Sequence, residues 1–125
     1  MSMKINILIV EDDFTSQMLL KMVVKSIGDN IYTTDNGTDA IEIFKNNPIN
    51  LVITDLRLYD INGLDGFKTT KAIRELNKDV IIIAQSAYVF NEEIKSIKEL
   101  GANYFIPKPI DKSVLFYYIK KHFPI

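Results

Sequence analysis

Apolar residues along the chain gather in five short runs: Ile5–Val10, Asn30–Thr34, Leu51–Thr54, Val80–Ala84 and Tyr104–Ile106. Between them lie longer stretches where apolar residues recur at helical spacing. Ile7–Val10 and Val80–Ala84 show no polar alternation. A strand with one wet face would alternate, so these strands are expected to be buried on both faces of a parallel sheet. The helical stretches carry their own signals. Phe14, Met18, Met22 and Ile27 recur near helical spacing, and Gly28 closes that segment. A second helix follows Asp35-Asn36-Gly37 and stops at Asn46-Asn47-Pro48. A third spans about Leu64 to Leu76. The fourth opens with Asn91 as its N-cap, lines one face with Ile94, Ile97 and Leu100, and ends at Gly101. Asp111 caps the last, which runs to about His122.

Strand and helix thus alternate five times, which predicts an α/β fold, a doubly wound (βα)5 three-layer sandwich. Right-handed crossovers leave few topologies, and the flavodoxin-like parallel order 2-1-3-4-5 suits five strands. With 125 residues, 47% hydrophobic and 25% charged, the chain fits one globular domain, residues 1–125. A formal net charge of -1 gives no bulk attraction to nucleic acid or to an acidic membrane. There is no cysteine, so disulfides, thiolate metal sites and cysteine nucleophiles are excluded. Met1 to Lys4 lead straight into a strand, with no leader pattern and no apolar run of the ~20 residues that span a bilayer. A soluble, cytoplasmic location is expected.

In a doubly wound sheet the active crevice lies beyond the carboxyl ends of the strands. Strand one ends in Glu11-Asp12-Asp13, strand three in Asp55, strand four in Gln85-Ser86-Ala87 and strand five in Pro107-Lys108-Pro109. Carboxylates, a hydroxyl and an ammonium therefore share one rim. Two unit charges about 4 Å apart repel by roughly 4 kcal/mol at an effective dielectric of 20. A site that gathers carboxylates normally holds a cation, and oxygen ligands without His or Cys favour Mg²⁺. Lys108 and Ser86 offer a point charge and a hydroxyl donor to phosphoryl oxygens. Asp55 then has a use as a carboxylate nucleophile in phosphoryl transfer. Taken singly, each residue reads as an ordinary cap, turn or surface side chain; the combination at four strand ends carries the signal.

The motifs ILIVEDD (Ile7 to Asp13), LVITDLRLYDINGLDG (Leu51 to Gly66), IIIAQSA (Ile81 to Ala87) and GANYFIPKPID (Gly101 to Asp111) closely resemble response-regulator receiver domains of two-component systems. The similarity covers about Lys4 to His122. It implies that Asp55 is the phosphoacceptor, with Mg²⁺ or Mn²⁺ held by Asp12 directly, by Glu11 through water, by Asp55, and by the backbone carbonyl of Arg57. Ser86 would be the switch hydroxyl, Phe105 the switch aromatic, and Lys108 the invariable lysine, joined to Pro109 by a cis bond. Gly63 matches the loop glycine. Tyr59 stands where many members have proline. Arg57 and Tyr88 could shield an acyl phosphate from water, while small Ala87 leaves it accessible.

The resemblance further implies a histidine kinase or histidine phosphotransfer protein as donor, and a two-state response of the fourth helix, fifth strand and fifth helix. Such a domain is a regulatory unit rather than an enzyme in its own right. The apolar run Val114–Ile119 must place some residues outward, where they could serve docking or dimerisation. The segment from Val80 to Lys112 resembles receivers fused to hybrid sensor histidine kinases. A flavodoxin-like cofactor binder would need a phosphate cradle where Glu11-Asp12-Asp13 stand. A haloacid-dehalogenase-like phosphatase would want a second Asp at position 57, which is Arg. A scaffold that is never phosphorylated usually lacks the acceptor or the lysine, and both are present.

Overall fold

The computed structural model describes residues 3–87 and 90–125. Along them run β1 (Asn6–Val10), α1 (Phe14–Val24), β2 (Asn30–Thr34), α2 (Gly37–Asn46) and β3 (Leu51–Asp55). Then follow α3 (Gly66–Leu76), β4 (Ile81–Ser86), α4 (Asn91–Glu99), β5 (Tyr104–Pro107) and α5 (Lys112–Lys120). The strands pair in parallel in the order β2-β1-β3-β4-β5, as expected. The shielding role considered for Tyr88 lies outside the described residues.

Successive strand residues point to opposite faces, and here each face has its own core. Ile7, Ile9, Leu51, Ile53, Ile81 and Ile83 pack with Leu20 and Val24 of α1 and Leu115 and Ile119 of α5. Their neighbours Leu8, Val10, Val52, Ile82 and Ala84 pack with Phe44 of α2, Ile73 of α3 and Ile97 of α4. The missing polar alternation follows: no face of these strands is wet. Burying a side chain of this size contributes about 1.5–3 kcal/mol.

Three local expectations shift. On α1 the stripe Phe14, Met18 and Met22 faces solvent, while Leu20 and Val24 are buried and Ile27 is half-buried against the same core. The helix is apolar nearly all round, so helical spacing alone does not choose its buried face. At α4 the N-cap is Phe90 rather than Asn91, and the Glu93 carboxylate accepts the Phe90 N–H at 3.2 Å. At α3 the helix starts later than Leu64: Asp65 caps it by accepting from the Lys68 N–H at 2.9 Å. Val114 and Tyr117 are the outward members of the α5 run, with Leu115 and Ile119 inward.

Two glycines shape the turn from β3 into α3. Gly63 sits at φ 75°, the left-handed region where a side chain is strained. Gly66 starts α3 so close to the backbone of Asp55 and Leu56 that a Cβ would collide with it.

Candidate functional site

The sheet delivers five of the expected site residues to one rim. β1 ends against Glu11 and Asp12, β3 ends in Asp55, β4 in Ser86, and β5 leads into Lys108. Glu11, Asp12 and Asp55 each offer a carboxylate oxygen, and these atoms lie within 4.8 Å of one another. Lys108 Nζ donates to Asp55 Oδ2 at 2.8 Å and to Glu11 Oε1 at 2.5 Å. Glu11 is fully buried and Asp55 nearly so, while Asp12 is exposed at the mouth. The Lys108–Pro109 peptide is cis. Its neighbourhood is fixed by the Lys108 N–H, which donates to the Ser86 carbonyl at 2.9 Å.

The electrostatics follow from crowding. Burial raises the Glu11 pKa to about 7, opposed by the Lys108 hydrogen bond and reinforced by Asp55. Burial works against the Lys108 charge, but its hydrogen bonds to Asp55 and Glu11 prevail and hold its pKa above the ordinary lysine value. Three carboxylates share one ammonium, so the cluster has excess negative charge. Oxygen donors alone, converging this closely, suit a hard divalent cation of the Mg²⁺ kind. The residues present fit such an ion.

The loop after Asp55 is tied down at three points. The Arg57 N–H donates to Asp55 Oδ1 at 3.0 Å, and the Tyr59 N–H to Asp12 Oδ2 at 3.3 Å. A proline at position 59 would have no N–H to give. Asp60 is buried and accepts from the Thr38 N–H at 2.9 Å, the Thr38 hydroxyl at 3.0 Å and the Asn62 N–H at 2.8 Å. This pins the loop to the start of α2. The Arg57 guanidinium pairs with Glu93 of α4, its Nη2 lying 2.7 Å from both oxygens.

Ser86 is fully buried at the end of β4. By strand alternation it shares a sheet face with Ala84, whose partner on β5 is Phe105. Phe105 itself is half-buried against the core beneath α2, α3 and α4. The two expected switch residues therefore border the same layer. Ala87 is exposed.

Sequence reasoning missed Asp60, Glu93 and Gln85. Asp60 precedes Ile61-Asn62-Gly63 and reads as a turn residue, and nothing in the spacing joins it to Thr38. Glu93 reads as an acidic first-turn residue of α4. Gln85 lies between β3 and β5, opposite Asp55 and Ile106, and both its side-chain polar atoms are buried without a hydrogen-bond partner among the described residues. A bulky polar residue directly after the run Ile81-Ile82-Ile83-Ala84 was the available signal.

This strand order, β2-β1-β3-β4-β5 with five helices, is that of a receiver domain. The family model described as response regulator receiver domain matches residues 7–120, and the chain belongs to that family. It is 30% identical to sporulation initiation phosphotransferase F of Bacillus subtilis, covering 95% of this chain and 94% of that protein. It is 29% identical to the cell cycle transcriptional regulator CtrA of Caulobacter vibrioides over 85% of this chain, but spans only 45% of that relative's length. A crystal structure pairs the histidine phosphotransfer signaling protein Ypd1 of Saccharomyces cerevisiae with the receiver domain of the response regulator Ssk1. That structure matches with a TM-score of 0.83 at 27% identity, covering 97% of this chain and 90% of that one. No helix among the described residues is long and apolar enough to cross a membrane.

Proposed function

We propose that residues 1–125 act as one receiver unit in which Asp55 accepts a phosphoryl group from a phosphohistidine on a kinase or phosphotransfer partner. The N–P bond breaks as a carboxylate oxygen of Asp55 forms the new O–P bond. The imidazole leaves with the electron pair and takes up a proton. Lys108, already between Asp55 and Glu11, supplies positive charge to the transferring oxygens, and Ser86 supplies a hydroxyl donor once the group has arrived. Glu11, Asp12, Asp55 and the backbone carbonyl of Arg57 would hold Mg²⁺ or Mn²⁺. When bound, the cation neutralises phosphoryl charge that three carboxylates would otherwise repel.

One observation carries this reading: three carboxylates from two strand ends converge within 4.8 Å of one another, and Lys108 from a third strand end donates to both Asp55 and Glu11. The Ypd1–Ssk1 pairing supports the class of partner. We assign the output to the α4-β5-α5 surface, where Ser86 and Phe105 border the layer that α4 covers. Exposed Tyr117 and Val114 offer apolar area there for docking or dimerisation.

Calorimetric titration with Mg²⁺ tests the metal site. One ion should bind the unsubstituted protein, and Asp12→Asn should weaken it at least tenfold, on the order of 1.4 kcal/mol. Equal affinity in the two proteins would remove Asp12 from the site.

A further inference from the structure

We propose that the Arg57–Glu93 ion pair is a latch that couples occupation of the acidic pocket to the first turn of α4. The coupling rests on the reading of Asp55 as phosphoacceptor. Arg57 faces both ways. Its backbone N–H holds Asp55 Oδ1 at 3.0 Å, and its guanidinium holds both Glu93 oxygens at 2.7 Å. Glu93 in turn accepts the Phe90 N–H, the opening amide of α4, at 3.2 Å. The first amides of a helix have no partner within it, so that bond holds the helix start. Two side chains thus connect the acceptor carboxylate to a helix terminus.

The rest of α4 is lightly anchored. Ile97 is its one buried residue, and Asn91 and Glu92 are exposed. The Arg57 side chain is half exposed, at 50%, whereas Glu93 is largely covered, at 23%. The pair is therefore partly screened and can be broken at modest cost. Phosphorylation turns Asp55 from a carboxylate into an acyl phosphate. Its remaining carboxyl oxygen becomes a carbonyl, a weaker acceptor for the Arg57 N–H than a charged oxygen. A new anion then stands two residues from the guanidinium and competes with Glu93 for it. Losing Arg57, Glu93 holds the α4 start less firmly, and the first turn loosens.

Amide hydrogen exchange at Phe90 to Ile94 tests this with beryllofluoride and Mg²⁺ as phosphoryl mimic, while the fluorine resonance of bound beryllofluoride reports occupancy separately. In the unsubstituted protein, occupancy should speed exchange there about tenfold, within the usual range of coupling between sites. Glu93→Gln should exchange fast before beryllofluoride is added, gain nothing from it, and still show the bound resonance. Glu92→Gln, a neighbouring exposed carboxylate, should behave as the unsubstituted protein. Bound beryllofluoride with unchanged exchange, or Glu93→Gln responding like the unsubstituted protein, would overturn the latch alone. No bound resonance in the unsubstituted protein would overturn the acceptor reading and the latch with it.

Discussion

Glu11 is the residue with most to lose. It is fully buried, and the ammonium of Lys108 compensates its charge. Removing one member of a covered ion pair leaves the other uncompensated, at about 3 kcal/mol or more. Lys108→Met should therefore lower stability by about 3 kcal/mol, read from urea unfolding; an unchanged midpoint would mean that Glu11 is not held as described. Gln85 predicts the opposite sign. Its buried amide lacks partners among the described residues, and an unsatisfied buried polar group costs about 1–3 kcal/mol. Gln85→Met, of similar volume, should raise the urea midpoint, and a lowered midpoint would show that the amide has a partner in solution. At this scale the sequence was informative about chemistry and silent about pairing. Glu11, Asp12, Asp55, Ser86 and Lys108 could be picked out because strand ends converge. Asp60 with Thr38, and Arg57 with Glu93, are contacts across 22 and 36 residues that no local rule anticipates.

Helices and strands were legible where one signal dominated. Burial on both faces marked the strands, and Asp13, Asn36 and Asp111 cap their helices with side chains that accept backbone N–H groups. The buried face of α1 was not legible, because apolar residues surround it and only the sheet beneath decides which go inside. The start of α4 was missed because its side-chain cap comes from Glu93 reaching back, rather than from Phe90, whose side chain has no acceptor. Gly66 makes α3 possible, since a Cβ there meets the backbone of Asp55 and Leu56. Gly66→Ala should cost about 2 kcal/mol as overpacking against backbone, and an unaffected midpoint would contradict the close approach. The carboxylates at helix starts also set an acid limit. The Thr38 backbone N–H holds Asp60 below its ordinary 3.8, and the Ser113 hydroxyl, helped by its N–H, lowers Asp111 likewise. Such groups bind protons more readily when unfolded. Their stabilisation is complete above 3.8 and is lost as pH falls through the lower folded-state value. Stability measured against pH should drop in that window, and Asp60→Asn should flatten the drop; an equal slope in both proteins would exclude Asp60 as a contributor.

Across the whole molecule, the order β2-β1-β3-β4-β5 places β1 and β3 side by side, with β4 and β5 following. That order makes residues distant in the chain share one pocket, and it was readable because alternating elements and right-handed crossovers leave few arrangements. The Arg57 contacts that link that pocket to Glu93 of α4 belong to side-chain geometry, which the order of elements does not contain. The most direct measurement is the intact mass of the protein after incubation with acetyl phosphate and Mg²⁺, beside Asp55→Asn treated identically. A gain of one phosphoryl group is expected in the first, abolished by chelating the metal, and no gain in the second. A phosphoryl group carried equally by Asp55→Asn, or none on the unsubstituted protein, would contradict Asp55 as the phosphoacceptor.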